Sequence, residues 1–177
     1  MVGRAVKTTL LLLTFAQAGF AFEGDYVWDA RFQAALTKAA VGEAKDQYEL
    51  GEMYLNGRGT PRDPSEALVW LLKAAKQGHI KAAYSAGHLY LLGQGTERSL
   101  PDALNWLQRA AEAGYAPAQY ELGQFYATGD TDSRKNSLAL IWLGKAKKSG
   151  YGPAAAAFAD LIRRMVKAQK IPDESSP

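Results

Sequence analysis

Gln47-Tyr48-Glu49-Leu50-Gly51-Glu52-Met53-Tyr54, then Gly57-Arg58-Gly59, then Ala67-Leu68-Val69-Trp70, forms a pattern that returns down the chain with a period of 36 residues. Tyr48, Tyr84 and Tyr120 keep this spacing. So do Gly51, Gly87 and Gly123; Tyr54, Tyr90 and Tyr126; Gly57, Gly93 and Gly129; and Trp70, Trp106 and Trp142. Gly42, Gly78, Gly114 and Gly150 hold the register with no gap. Self-similarity at a fixed period of this length marks a stacked array, in which each unit buries its apolar face against the next. Arrays of this kind serve mainly as recognition surfaces, so the period points toward binding before catalysis.

Each unit reads as two antiparallel helices. Tyr48, Leu50, Met53, Tyr54 and Leu55 recur at helical spacing and predict a helix A over Ala44–Asn56. After a loop at 57–63, Ala67, Trp70, Leu71, Ala74 and Ala75 predict a helix B over 64–77. Asp63-Pro64-Ser65-Glu66 has the form of an N-cap, a proline at the first helical position and an acid three residues after the cap. Ser99 and Asp102 repeat that form, with Pro101 in the first turn. Gly78, Gly114 and Gly150 stand where helix B ends, and glycine takes the left-handed conformation that closes a helix. Gly51 and the alanines are expected to give neighbouring rings their room. The third unit carries Lys135 at the cap position and lacks the second loop glycine, so its helix B is expected to start out of register or fray.

The predicted fold is therefore all-α: a right-handed α-solenoid of stacked antiparallel helix pairs. Its units are 44–79, 80–115 and 116–151, within a repeat region of 44–152. An N-terminal capping helix lies within 22–43, with residues 28–41 in helix-B register. A C-terminal capping helix takes 153–170, in helix-A register, and a disordered tail takes 171–177.

With 177 residues, 47% of them hydrophobic and 22% charged, the chain has the length and composition of one soluble domain. Cysteine is absent, which excludes disulfides, thiolate metal sites and cysteine nucleophiles. Arg4 and Lys7 precede an apolar run at 8–15, and small residues follow at Ala16, Ala18, Gly19 and Ala21. That layout predicts a secretory signal peptide over residues 1–21, cleaved after Ala18 or Ala21, and a periplasmic or secreted protein. The run is shorter than the roughly 20 residues of a membrane span. Taking Arg4 and Lys7 from 21 basic residues leaves 19 against 18 acidic ones, so the basic balance is no argument for nucleic acid. Residues 22–133 hold 10 basic and 15 acidic side chains, whereas 134–170 hold 9 basic ones and only Asp160. One end of the array is acidic and the other basic.

The first unit, from Gln47 through Lys73-Ala74-Ala75-Lys76-Gln77-Gly78-His79, resembles the Sel1-like repeat, a relative of the tetratricopeptide repeat. The second copy resembles it through Gly93-Gln94-Gly95 and Trp106-Leu107-Gln108-Arg109-Ala110-Ala111. The third does so through Tyr120, Leu122, Gly123, Tyr126 and Trp142. The resemblance covers residues 28–170. It implies an adaptor that binds another protein, often exported and bacterial, and here a periplasmic setting in a Gram-negative cell. Some cysteine-rich members bind or slowly hydrolyse penicillin-type compounds. A cell-wall or β-lactam-recognising protein with weak hydrolase activity is therefore the alternative, weakened by the missing cysteines.

In related arrays helix A lines the concave face. Its positions not needed for packing are Glu49, Ser85 and Glu121, then Glu52, His88 and Gln124, with Asn56, Leu92 and Thr128 one turn further. Residues three or four apart share a helix face, which places Glu49 beside Glu52 and Glu121 beside Gln124. Glu49, Glu52, Ser85, His88, Glu121 and Gln124 are thus the candidate partner-binding stripe, suited to a segment with basic or hydrogen-bonding groups. His79 follows a closing glycine and reads as structural. His88 has no second histidine or cysteine at metal-ligand spacing. No nucleophile motif, oxyanion-hole loop or phosphate-binding glycine pattern accompanies the paired acids. The expected protein is non-enzymatic and needs no cofactor or metal. Lys145, Lys147, Lys148, Arg163, Arg164, Lys167 and Lys170 form a basic end patch, fit for peripheral contact with an anionic membrane, an acidic protein or a cell-wall polymer.

Overall fold

A computed structural model describes residues 30–128 and 133–169. The expected leader at 1–21, residues 22–29 with Trp28, residues 129–132, Lys170 and the expected tail at 171–177 lie outside the described residues. Eight helices occupy them: α1 (Ala30–Val41), α2 (Ala44–Asn56), α3 (Pro64–Lys76), α4 (Ile80–Leu92), α5 (Leu100–Glu112), α6 (Ala116–Ala127), α7 (Ser133–Lys148) and α8 (Gly152–Gln169). Each helix packs chiefly on its neighbours in sequence, and α6 also touches α8. Helices α2, α4 and α6 are the A helices of three pairs; α3, α5 and α7 are the B helices. All eight are α-helical, paired in order, as the period predicts.

The helix ends follow from local chemistry. Asp63 caps α3, its carboxylate accepting from the backbone N–H of Ser65 at 2.9 Å and Glu66 at 3.1 Å. Ser99 caps α5 by accepting from Asp102 N–H. Such a cap stabilises a helix by about 1 kcal/mol. Each B helix then closes in one way. The N–H of Gly78, Gly114 and Gly150 donates to Ala75, Ala111 and Lys147, while His79, Tyr115 and Tyr151 donate to Ala74, Ala110 and Ala146. These nested bonds form a Schellman closure around a glycine with φ between +76° and +88°. Helix α7 begins at Ser133, three residues before the position that Pro64 holds in its unit. That position is Asn136, so no proline limits the first turn, and Lys135 offers no capping oxygen.

Inside a pair, the A and B helices meet at a glycine. A Cβ on Gly51, Gly87 or Gly123 would lie 2.8, 2.8 or 2.6 Å from the Cγ of Leu71, Leu107 or Leu143. The room that Gly51 makes is filled by a leucine and not by an aromatic ring as expected, because the tryptophans sit one residue earlier and are themselves buried in the core, each with a basic side chain over its ring. Lys73 lies 3.6 Å above the Trp70 ring, Arg109 4.7 Å from Trp106 and Lys145 4.2 Å from Trp142. Leu71 and Leu143 are essentially inaccessible to solvent, and burying such a side chain stabilises the fold by about 1.5–3 kcal/mol.

Candidate functional site

The A helices lie side by side, and the rise between units sets which residues meet. Ser85 Oγ on α4 donates to Glu52 Oε1 on α2 at 3.3 Å. One unit later, His88 Nε2 on α4 lies 2.7 Å from Glu121 Oε1 on α6. Tyr84 Oη donates to that same oxygen at 2.6 Å. Both junctions thus join the position of Glu52 or His88 in one unit to the position of Ser85 or Glu121 in the next. Glu49 holds that second position in the first unit. Among the described residues no A helix precedes it, and it pairs along its own helix with exposed Lys45 at 3.9 Å. Gln124 bonds Tyr120 Oη at 2.7 Å.

Of the six predicted contact residues, the structure joins Glu52 with Ser85 and His88 with Glu121. Glu49 faces a cleft beside α1, and Gln124 stays on its own helix. Sequence reasoning placed partners three residues apart on one helix; the stronger contacts span 33 residues.

The tyrosines are the part of this face that sequence reasoning missed. Tyr48 stacks on His79 with ring centres 4.4 Å apart, Tyr84 meets Tyr115 edge-on at 5.0 Å, and Tyr120 meets Tyr151 at 5.3 Å. The Schellman closure aims these rings, since the residue after each closing glycine reaches back to the A helix of its own unit. All six rings are half-buried. The signal was present: an aromatic or imidazole ring follows Gly78, Gly114 and Gly150 in every unit.

Electrostatics bind rings and acids into one surface. Burial, then the hydrogen bond to Glu121, holds the Tyr84 hydroxyl far above its ordinary pKa. Burial also raises Tyr48 and Tyr115, and Glu52 acts on both. His88 is raised above the ordinary histidine value by its bond to Glu121, against the opposing effect of burial. His79 is pushed down by burial and Lys81, and its Nδ1 accepts from Ala82 N–H at 3.2 Å. Glu121 has a side chain 25% exposed, and its Oε2 is buried with no hydrogen-bond partner among the described residues.

The basic end is largely engaged within the chain. Lys145 covers Trp142, and Lys147 lies 5.2 Å from the Phe158 ring. Arg163 and Arg164 pair with Asp160 at 3.7 and 3.2 Å, and Arg164 Nη1 also donates to Ala127 O at 3.4 Å. Lys148 and Lys167 are exposed; Lys170 lies outside the described residues. Among the described residues no three His, Asp or Glu side chains gather as a metal site, and no helix is long and apolar enough to cross a membrane.

Stacked helix pairs with a patterned A face define a helical repeat scaffold. A family model for the Sel1 repeat matches residues 44–79, 80–115 and 116–151, and the chain belongs to that family. A Sel1 repeat protein from Oxalobacter formigenes is similar in structure, with a TM-score of 0.67 and 26% identity over 86% of this chain and 58% of its own. The protective antigen c5321 of uropathogenic Escherichia coli, which displays an SLR fold, has a TM-score of 0.62 and 34% identity over 67% of this chain and 26% of its own. The chain thus spans little more than half of one relative and about a quarter of the other. No curated protein matches significantly.

Proposed function

We propose that this chain is a non-enzymatic adaptor of the bacterial cell envelope that binds another protein across the face of α2, α4 and α6. The observation that carries the reading is the row of cross-unit contacts on that face: Glu52 with Ser85, then His88 and Tyr84 with Glu121, framed by the ring pairs. Polar groups there are held in place by neighbouring units yet remain partly open, and Tyr rings offer large contact area at low conformational cost. Sel1 repeats generally serve protein–protein interaction. The charged, apolar and small-residue order of residues 1–21 supports export and an envelope setting. The acidic side chains and tyrosine rings suit a segment that brings arginine, lysine or hydrogen-bond donors.

Affinity capture from envelope extract tests this, with residues 22–177 as bait and a second bait carrying Glu52→Lys and Gln124→Lys. Both substitutions lie on partly or fully exposed positions. A protein retained by the first bait and lost from the equally folded second supports the reading. Equal retention by both overturns the assignment of the face.

A further inference from the structure

We infer that copies of this chain join end to end, with α8 of one copy seated against α1 and α2 of the next, completing a repeat that each copy carries in two halves. A cleft of about 800 Å³ opens beside α1 and α2, lined by Ala34, Ala35, Lys38, Glu49 and Arg58 among others. Shifted by one period, Ala35, Glu49 and Arg58 become Leu71, Ser85 and Gln94. Each of these three meets the preceding A helix or its loop: Leu71 lies against Gly51, Ser85 bonds Glu52, and Gln94 accepts from Arg62 Nη2 at 3.0 Å. The cleft therefore repeats the seat in which α2 lies, moved one unit toward the N-terminus. Its shape is that of a place for an A helix.

The opposite end supplies one. Helix α8 stands in helix-A register, with Ala154 and Leu161 buried against the array. Its other face shows Ala155, Ala159, Ile162 and Val166, all exposed, with Ile162 at 40% and Val166 at 44%. Ala155, Ala159 and Ile162 correspond to Gln47, Gly51 and Tyr54. Gln47 accepts from Gln77, at the end of α3, and Gly51 lies against Leu71 on α3, so this is the face an A helix turns to its B helix. Terminal helices of soluble arrays present a polar outer face that stops further stacking. Helix α8 keeps an apolar stripe there.

The two surfaces fit in size. Within a unit, glycine on helix A faces leucine on helix B. Between copies Ala159 would face Ala35, alanine against alanine where a unit sets glycine against leucine, so the helices approach without the clash that a Cβ causes against leucine. Glu49 would meet Asp160, and Arg164, already 3.2 Å from Asp160, supplies the cation between them. The contact joins unlike surfaces, so it propagates as a chain of copies or closes into a ring. It takes up Glu49 at the first end of the partner face and leaves the contacts from Glu52 to Glu121 as they are.

Sedimentation velocity on residues 22–177, which keep every described element, tests the inference. The expected result is a concentration-dependent series of multiples of the monomer mass. Ile162→Asp and Ala34→Glu alter exposed positions, and circular dichroism checks that both variants keep their helix content. Each variant alone should stay monomeric, having one working end. Mixed in equal amounts, they should form dimers and nothing larger. A monomer at every concentration overturns the inference. Assembly that survives in either variant alone, or a mixture that gives no dimer, overturns it as well.

Discussion

The junction between units one and two and the junction between units two and three share a backbone and differ in chemistry. At the first, Ser85 gives Glu52 a single bond of 3.3 Å, and His79 stacks on Tyr48. At the second, Glu121 accepts from both Tyr84 and His88 at 2.6 and 2.7 Å, and Tyr115 takes the place of His79. Position for position the geometry is one unit's translation. What the pair teaches is that the period fixes which residues meet, while residues not needed for packing decide what the meeting does.

The most direct way to break the shared geometry is Gly95→Ala. At Gly95 φ is +74°, and a Cβ would come within 2.3–2.5 Å of the Pro64–Ser65 backbone of the preceding unit. Backbone cannot yield as a flexible side chain does, so a urea melt should show a loss of about 3 kcal/mol or more. Next in size is the contrast between the acids. Glu121→Ala leaves Tyr84 and His88 without their acceptor and should cost about 1–3 kcal/mol, whereas Glu52→Ala should cost under about 0.5 kcal/mol. Equal losses would dissolve the distinction between the junctions.

A pH series sharpens the same contrast. The raised pKa of His88 means that its contribution to stability is complete below the unfolded histidine value of about 6.5 and disappears as pH rises through the higher folded value. Wild type should therefore lose more stability than His88→Gln as pH rises from about 6.5 through the higher folded value. His79, held low by burial and Lys81, contributes in the opposite sense as pH falls and is common to both proteins. A flat difference between the two curves would show that His88 draws nothing from Glu121. The smallest effect belongs to Lys45→Ala. It removes the exposed pair to Glu49, and a thermal melt should register less than about 0.5 kcal/mol.

Nearly all of the fold could be read from residues. The caps at Asp63 and Ser99, the closures at Gly78, Gly114 and Gly150, and the disturbed start of α7 each follow from a few adjacent side chains. The candidate face was legible as a set of positions but not as a set of contacts. Helical spacing relates Glu49 to Glu52 because both lie on one helix. It is silent on the shift between stacked helices, which carries Glu121 to His88 and leaves Glu49 facing the cleft beside α1. The tyrosines went unnoticed as surface because large rings at helical spacing read as core. Being half-buried, they serve both.

The pairing of one unit's third-turn residue with the next unit's second-turn residue makes the array work like a row of dominoes. The helix pair repeats from unit to unit, but the side chains on adjoining edges must match. Excising residues 80–115 would keep the period and bring Glu121 against Glu52, acid facing acid. The order of the units therefore carries information that their shared shape does not, and a shuffled chain could keep its architecture while losing the pattern of charge along its face.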